Sequence, residues 1–219
     1  MRKQKVLTVF LCGLLLFAGL WRNDQAQEAA ATVEGAGMIA LTFDDGPHST
    51  YTRELLDGLR QRGVPATFFL IGKNIEGNED LVRQMAEDGH LIGCHTYNHV
   101  DLTRCTQSEA AEEIGRTNRQ ISEITGKVVE YIRPPFGNWN SALAESFPLT
   151  VVKWTVDPED WKCRDREEVV ERVLEEAQDG SIILLHDFYQ PSVEAALELV
   201  DRLQAAGYQF VTVEELLLD

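Results

Sequence analysis

Positive charge is scarce in this sequence. Its 20 Lys and Arg residues stand against 36 Asp and Glu, a formal net charge of -16. A field of that sign excludes general affinity for nucleic acid or anionic lipid, although a single groove can carry a local field of its own. Cysteine is scarce too. There are four, none spaced as CxxC, which excludes a zinc ribbon and a thioredoxin-like redox motif. Repeats, low-complexity tracts and a second block of core residues are also missing. The 44% hydrophobic content therefore serves one core. Nothing in the chain demands an obligate protein partner.

Only one long apolar run occurs, Val6 to Trp21, and Arg2, Lys3 and Lys5 precede it. A positive start followed by an apolar segment is the layout of a secretory signal. The run is slightly short for a spanning helix, which needs roughly 17 to 25 residues. The small residues Ala29, Ala30 and Ala31 lie well beyond its end. Residues 1–21 are therefore expected to be a signal peptide or an N-terminal membrane anchor. Either way the basic residues hold the N-terminus inside, and the domain is secreted or tethered to the outer face of the cytoplasmic membrane. With Cys12 in that segment, Cys94, Cys105 and Cys163 remain, an odd number that allows one bridge at most. Residues 22–37 read as a polar linker and residues 38–219 as one domain.

Within the domain, apolar runs bounded by turn residues recur. They are Met38–Phe43, Ala66–Ile71, His90–Gly93, Val128–Ile132, Leu149–Val156, Ile182–Leu185 and Tyr208–Val211. Helical spacing separates several of them: Leu55, Leu56 and Leu59 share a face, as do Leu81, Val82 and Met85. Thr106 and Glu109 form a capping-box pattern before Ile114, Ile121 and Ile124, with Gly126 at the end. Seven strands alternating with helices predict an α/β fold with a parallel sheet. An open doubly wound sheet satisfies that count as well. The unusual polar residues follow strands one, three, four, five and six, which suits a (β/α) barrel, whose site is built from several such loops.

Those residues define a chemistry. TFDDGP (Thr42 to Pro47) and HTYNH (His95 to His99) supply Asp45, His95 and His99, two imidazoles and a carboxylate with an open position, as in catalytic zinc sites. A metal so held polarises a carbonyl and acidifies water. Asp44 is then placed to act as base, and His186 of LLHD as acid for the leaving group. Arg133 of RPPFG can orient Asp44 through a paired hydrogen bond. DPEDW (Asp157 to Trp161) offers a carboxylate to support His186 and, in Trp161, an aromatic wall. Taken singly, each of these is also ordinary turn or strand-end sequence. Together, at five strand ends, they supply ligands, base, acid and orienters.

In this order the five motifs resemble those of the polysaccharide deacetylases with a NodB-like domain, carbohydrate esterase family four. The resemblance spans roughly Gly37 to the C-terminus. It implies a distorted (β/α) barrel with about seven parallel strands and a divalent metal, usually zinc, on Asp45, His95 and His99. It further implies Asp44 as base, His186 as acid, Arg133 orienting the base and Asp160 tuning the acid. Leu184 would wall the acetyl methyl pocket, and the Phe136 N–H would stabilise the oxyanion. Tyr97, Trp139, Phe188 and Tyr189 are candidates for stacking on sugar rings. Cys94, beside His95, is a departure, since a thiol there would compete for metal or be open to oxidation. The implied reaction is removal of N-acetyl groups from a surface polysaccharide, peptidoglycan above all. Its alternatives are an O-acetyl esterase on xylan-type polymers and a non-catalytic glycan-binding protein. The last expects a missing ligand, base or acid, and none is missing.

Overall fold

The structure is a computed structural model that describes residues 37–218. The expected signal or anchor, and all of the expected linker except Gly37, lie outside those residues. Gly37 itself belongs to the first strand.

Seven parallel strands are present: β1 (Gly37–Asp44), β2 (Thr67–Leu70), β3 (Leu91–Cys94), β4 (Tyr131–Ile132), β5 (Thr150–Val151), β6 (Ser181–His186) and β7 (Tyr208–Phe210). They run in the order β5-β4-β3-β2-β1-β6, and β7 pairs with the first residues of β1. The sheet curls, because the chain after β5 returns to β6 through one parallel bridge, Val156 to Ile183. The connecting segments include α1 (Tyr51–Arg62), α2 (Gly72–Ile75), α3 (Glu79–Glu87), α4 (Gln107–Thr125), α5 (Ser141–Ser146), α6 (Arg166–Glu176) and α7 (Gln190–Ala205). A last helix, α8 (Val213–Leu218), follows β7.

The helices form where the apolar spacing required them. Leu55, Leu56 and Leu59 of α1 and Leu81, Val82 and Met85 of α3 are buried. The capping box of α4 closes in both directions between Thr106 and Glu109, and Gly126 ends the helix in the left-handed conformation that glycine adopts without a Cβ penalty. Two strands are shorter than the runs Val128–Ile132 and Leu149–Val156 predicted. Val128 is exposed. Beyond Val152 the ladder ends, because the next β4 residue due to donate to it is Pro134, which has no N–H, and the Val152 carbonyl accepts from Arg133 Nε at 3.3 Å instead.

Successive strand residues face opposite ways. Ile39, Leu41 and Phe43 of β1 join the large core under the helices, while Ala40 joins Phe69, Val152 and Val213 in a small cluster inside the curl. Both faces are buried, as expected for a parallel sheet with crossover helices. Cys94, Cys105 and Cys163 are all free thiols, so the one bridge the count allowed is not made.

Candidate active site

Strand alternation aims the chemistry inward. Thr42 and Asp44 continue the inner row of Ala40. Leu184 and His186 continue that of Ile182 on β6, where Asp44 and His186 are register partners. Past β4, Arg133 follows Tyr131 in the same way and is fully buried. Its guanidinium donates to Asp44 Oδ1 at 2.8 Å, to Thr42 Oγ1 at 2.7 Å and to the Val152 carbonyl at 3.3 Å. It also lies over the Phe69 ring, 4.4 Å from the centroid. A cation buried among these partners fixes the Asp44 carboxylate in one orientation.

The same residue orients a candidate ligand. The Arg133 carbonyl accepts from His95 Nδ1 at 2.6 Å, which leaves Nε2 as the free nitrogen. His95 Nε2 stands 3.6 Å from Asp45 Oδ1, and His99 Nε2 stands 3.6 Å from the same oxygen. One donor atom from each of the three residues falls within 4.8 Å of the others. Asp45 Oδ1 is buried and has no hydrogen-bond partner among the described residues. Ligand atoms 2.0 to 2.2 Å from a tetrahedral zinc stand roughly 3.3 to 3.6 Å apart, so the triad fits such an ion. Burial, and then the neighbouring His95, hold His99 below the usual imidazole range, which favours the neutral, ligating form.

The backbone beneath these residues is unusual. Asp45, Thr96, His99, Phe136 and Glu159 all have positive φ, between 55° and 74°, a region costly for residues with a Cβ. The loop from His95 to His99 is held by Glu113 of α4, whose carboxylate accepts the Tyr97 N–H at 3.0 Å and the Asn98 N–H at 2.7 Å.

Across the cavity, His186 Nδ1 donates to Asp160 Oδ1 at 2.7 Å, and the His186 N–H donates to Asp160 Oδ2 at 2.9 Å. Burial alone would pull this imidazole down. The bond to Asp160 and its charge outweigh that and, with Asp44 and Asp45 behind them, push it up to about 9. The ring is therefore a proton donor at neutral pH, with Nε2 left for the cavity.

The cavity between these groups measures about 420 Å³. Asp44, Asp45, His95, His99, Phe136, Trp161, Leu184 and His186 line it, with Tyr189 at one side. Arg133 and Asp160 sit behind it, each fully buried. Trp139, expected to stack on sugar, is not among the lining residues and packs against the main core instead. Tyr97 is likewise absent from the lining and lies beneath the Arg116 guanidinium, 3.6 Å from its ring centroid. Cys94 is no rival for metal. It points into the helix-facing core, away from the inner row, and burial pushes its thiol up to about 12. Two lining residues, Trp154 and Asp157, had no role in the sequence reading. Trp154 could have been found by extending the inner row two residues past Val152.

The sequence is matched over residues 32–152 by the family model described as Polysaccharide deacetylase. A peptidoglycan-N-acetylmuramic acid deacetylase, PdaC, from Bacillus subtilis (strain 168) is 40% identical over 179 residues, which are 82% of this chain and 38% of that protein. Its solved structure superposes with a TM-score of 0.81 at 40% identity, covering 83% of this chain and 90% of that one. A peptidoglycan-N-acetylglucosamine deacetylase, PgdA, from Listeria monocytogenes serotype 1/2a (strain 10403S) is 39% identical over 81% of this chain and 38% of that protein. A family 4 acetyl xylan esterase from Clostridium thermocellum, solved with a cobalt ion, gives a TM-score of 0.79 at 31% identity, covering 83% and 90% of the two chains. The chain thus spans well under half the length of these two curated deacetylases.

Proposed function

Because this chain belongs to the polysaccharide deacetylase family, we propose that it hydrolyses N-acetyl groups on the amino sugars of peptidoglycan, with zinc held by Asp45, His95 and His99. One observation carries the reading: the Asp44–Arg133 pair and the His186–Asp160 pair both meet the cavity that holds the ligand triad. When bound, zinc polarises the acetyl carbonyl and acidifies the attacking water. Everything else falls to the chain. Asp44, oriented through Oδ1 by Arg133, takes the proton from the water. Leu184 walls the acetyl methyl group, Trp161 bounds the sugar side, and the Phe136 N–H bonds the oxygen on which charge develops. His186, kept protonated by Asp160, delivers a proton to the departing nitrogen.

That last step favours amide over ester hydrolysis. An amine leaves only once protonated, and an acid that stays charged at neutral pH suits it. The esterase reading rests on the acetyl xylan esterase among the relatives. The expected location, secreted or tethered outside the membrane, rests on residues 1–21. Among the described residues no helix is long and apolar enough to cross a membrane. The deciding experiment incubates the zinc-loaded protein with peptidoglycan and with acetylxylan. Mass spectrometry of released peptidoglycan fragments should show de-N-acetylated sugars. Acetate released from acetylxylan alone would replace the proposal with the esterase reading.

A further inference from the structure

One carboxylate beside the site has no part in this scheme. Asp187 follows His186 directly and is fully buried, with its side chain turned to the opposite face of the strand end. Its Oδ2 accepts the Thr52 hydroxyl proton, and Thr52 Oγ1 accepts the His48 N–H at 2.7 Å. The same carboxylate presses on Gly46, where an added Cβ would lie 2.4 Å from Oδ2 and 2.5 Å from Oδ1. Any side chain at position 46 would displace Asp187.

The opposite side of this loop is also tied. The Ile71 N–H donates to the Gly46 carbonyl at 3.0 Å, and Asn74 Nδ2 donates to the Asp45 carbonyl at 2.8 Å. Asp45 therefore sits, at φ 74°, in a loop fastened from β2 and α2 on one side and from the end of β6 on the other. A residue in that conformation is strained and persists only where its surroundings impose it. Asp187, Thr52 and the close contact at Gly46 are the surroundings on the β6 side.

We infer that Asp187, acting through Thr52 and Gly46, is a positioning residue that holds the Asp45 carboxylate at its metal-binding distance from His95 and His99. The inference rests on the reading of those three residues as metal ligands. It assigns two consecutive residues of one strand end to two tasks: His186 serves the leaving group, and Asp187 serves the ligand loop. Groups that orient ligands in this indirect way typically account for a 10- to 100-fold change in metal affinity.

The test is a zinc titration of the full chain in competition with a chromophoric chelator, with folding followed by circular dichroism. Thr52→Val removes the hydroxyl and should weaken zinc binding about 10- to 100-fold, while Thr52→Ser restores it. Turnover that Thr52→Val loses at limiting zinc should return at saturating zinc. Unchanged zinc affinity in Thr52→Val, or turnover that stays low at saturating zinc, overturns the inference. Should Thr52→Val fail to fold, Asp187→Asn and Asp187→Leu decide. The Asn oxygen still accepts from Thr52, so only Leu should lose affinity, and equal affinities in the two overturn the proposal. If the unsubstituted chain binds no zinc, the metal reading itself falls, and this inference with it.

Discussion

Asp44 and Asp45 are adjacent, yet their surroundings differ, and the proposed reaction gives them different work. Asp44 Oδ1 is committed to Arg133, whereas Asp45 Oδ1 has no hydrogen-bond partner among the described residues and faces two imidazole nitrogens. Asp44→Asn should keep zinc and lose roughly 100- to 10,000-fold in turnover. Asp45→Asn should lose zinc first, and equal zinc loss in both would erase the distinction. The second residue-scale prediction concerns pH. In the proposed reaction His186 acts as acid while protonated, so the rate should fall as pH rises toward 9, at or below that value because a bound dication opposes part of the upward shift. Asp160→Asn removes the charge that raises it and leaves the burial that lowers it, so the alkaline limb should move to lower pH. A limb that stays in place would show that some other group sets it. The residue types this chemistry needs were legible in the sequence because they crowd into short motifs at strand ends. Trp154, Glu113 and Asp187 were not, because their roles depend on where distant segments meet. Trp139 was misjudged for the same reason: an aromatic near a motif can face the core as readily as the cavity.

At the scale of elements, the helices were the most legible part. Their caps and apolar spacing are local properties, as the Thr106–Glu109 box and the Gly126 stop show. The strands were legible in number and order of appearance. Their lengths were not, since they depend on pairing register: the β4–β5 ladder stops where Pro134 has no N–H to donate, and the Val152 carbonyl accepts from the Arg133 side chain instead. The start of β3 carries its own prediction. His90 is buried there, accepts the Ala66 N–H at 3.0 Å through Nδ1 and packs edge-on against Phe68. Burial holds its imidazole down at about 4. A folded-state value below the unfolded one, near 6.5, means the unfolded chain binds the proton more readily. The stability at stake is full above that unfolded value and is lost as pH falls toward 4. Denaturant unfolding should show about 2 kcal/mol lost from this group between pH 7 and pH 5, and a variant lacking His90 should lose that component. An unchanged pH slope in the variant would mean that other groups dominate the acid side.

The whole domain is an arc of paired strands whose two ends meet at one place. From β5 to β6 the strands follow in unbroken order, and β1 alone pairs with six residues of β6. The junction that brings the ends together has the single Val156–Ile183 bridge, bonds around it such as Thr155 N–H to the Ile182 carbonyl at 2.9 Å and Leu184 N–H to the Val156 carbonyl at 3.0 Å, and the two bonds from His186 to Asp160. Local opening begins where few bonds must break. Amide exchange should therefore reach Thr155, Val156 and Leu184 before the amides of β1 that pair with β2. Earlier exchange in β1 would contradict this. The junction also divides the site in space. Asp160 lies on one side of it and His186 on the other, while Asp45, His95, His99 and the Asp44–Arg133 pair all belong to the unbroken arc. An opening confined to this junction would separate the proposed acid from Asp160 and leave the three proposed ligands together. The proposed proton-donating pair thus spans two ends of the sheet that meet, whereas the proposed metal-binding half sits within the run of paired strands.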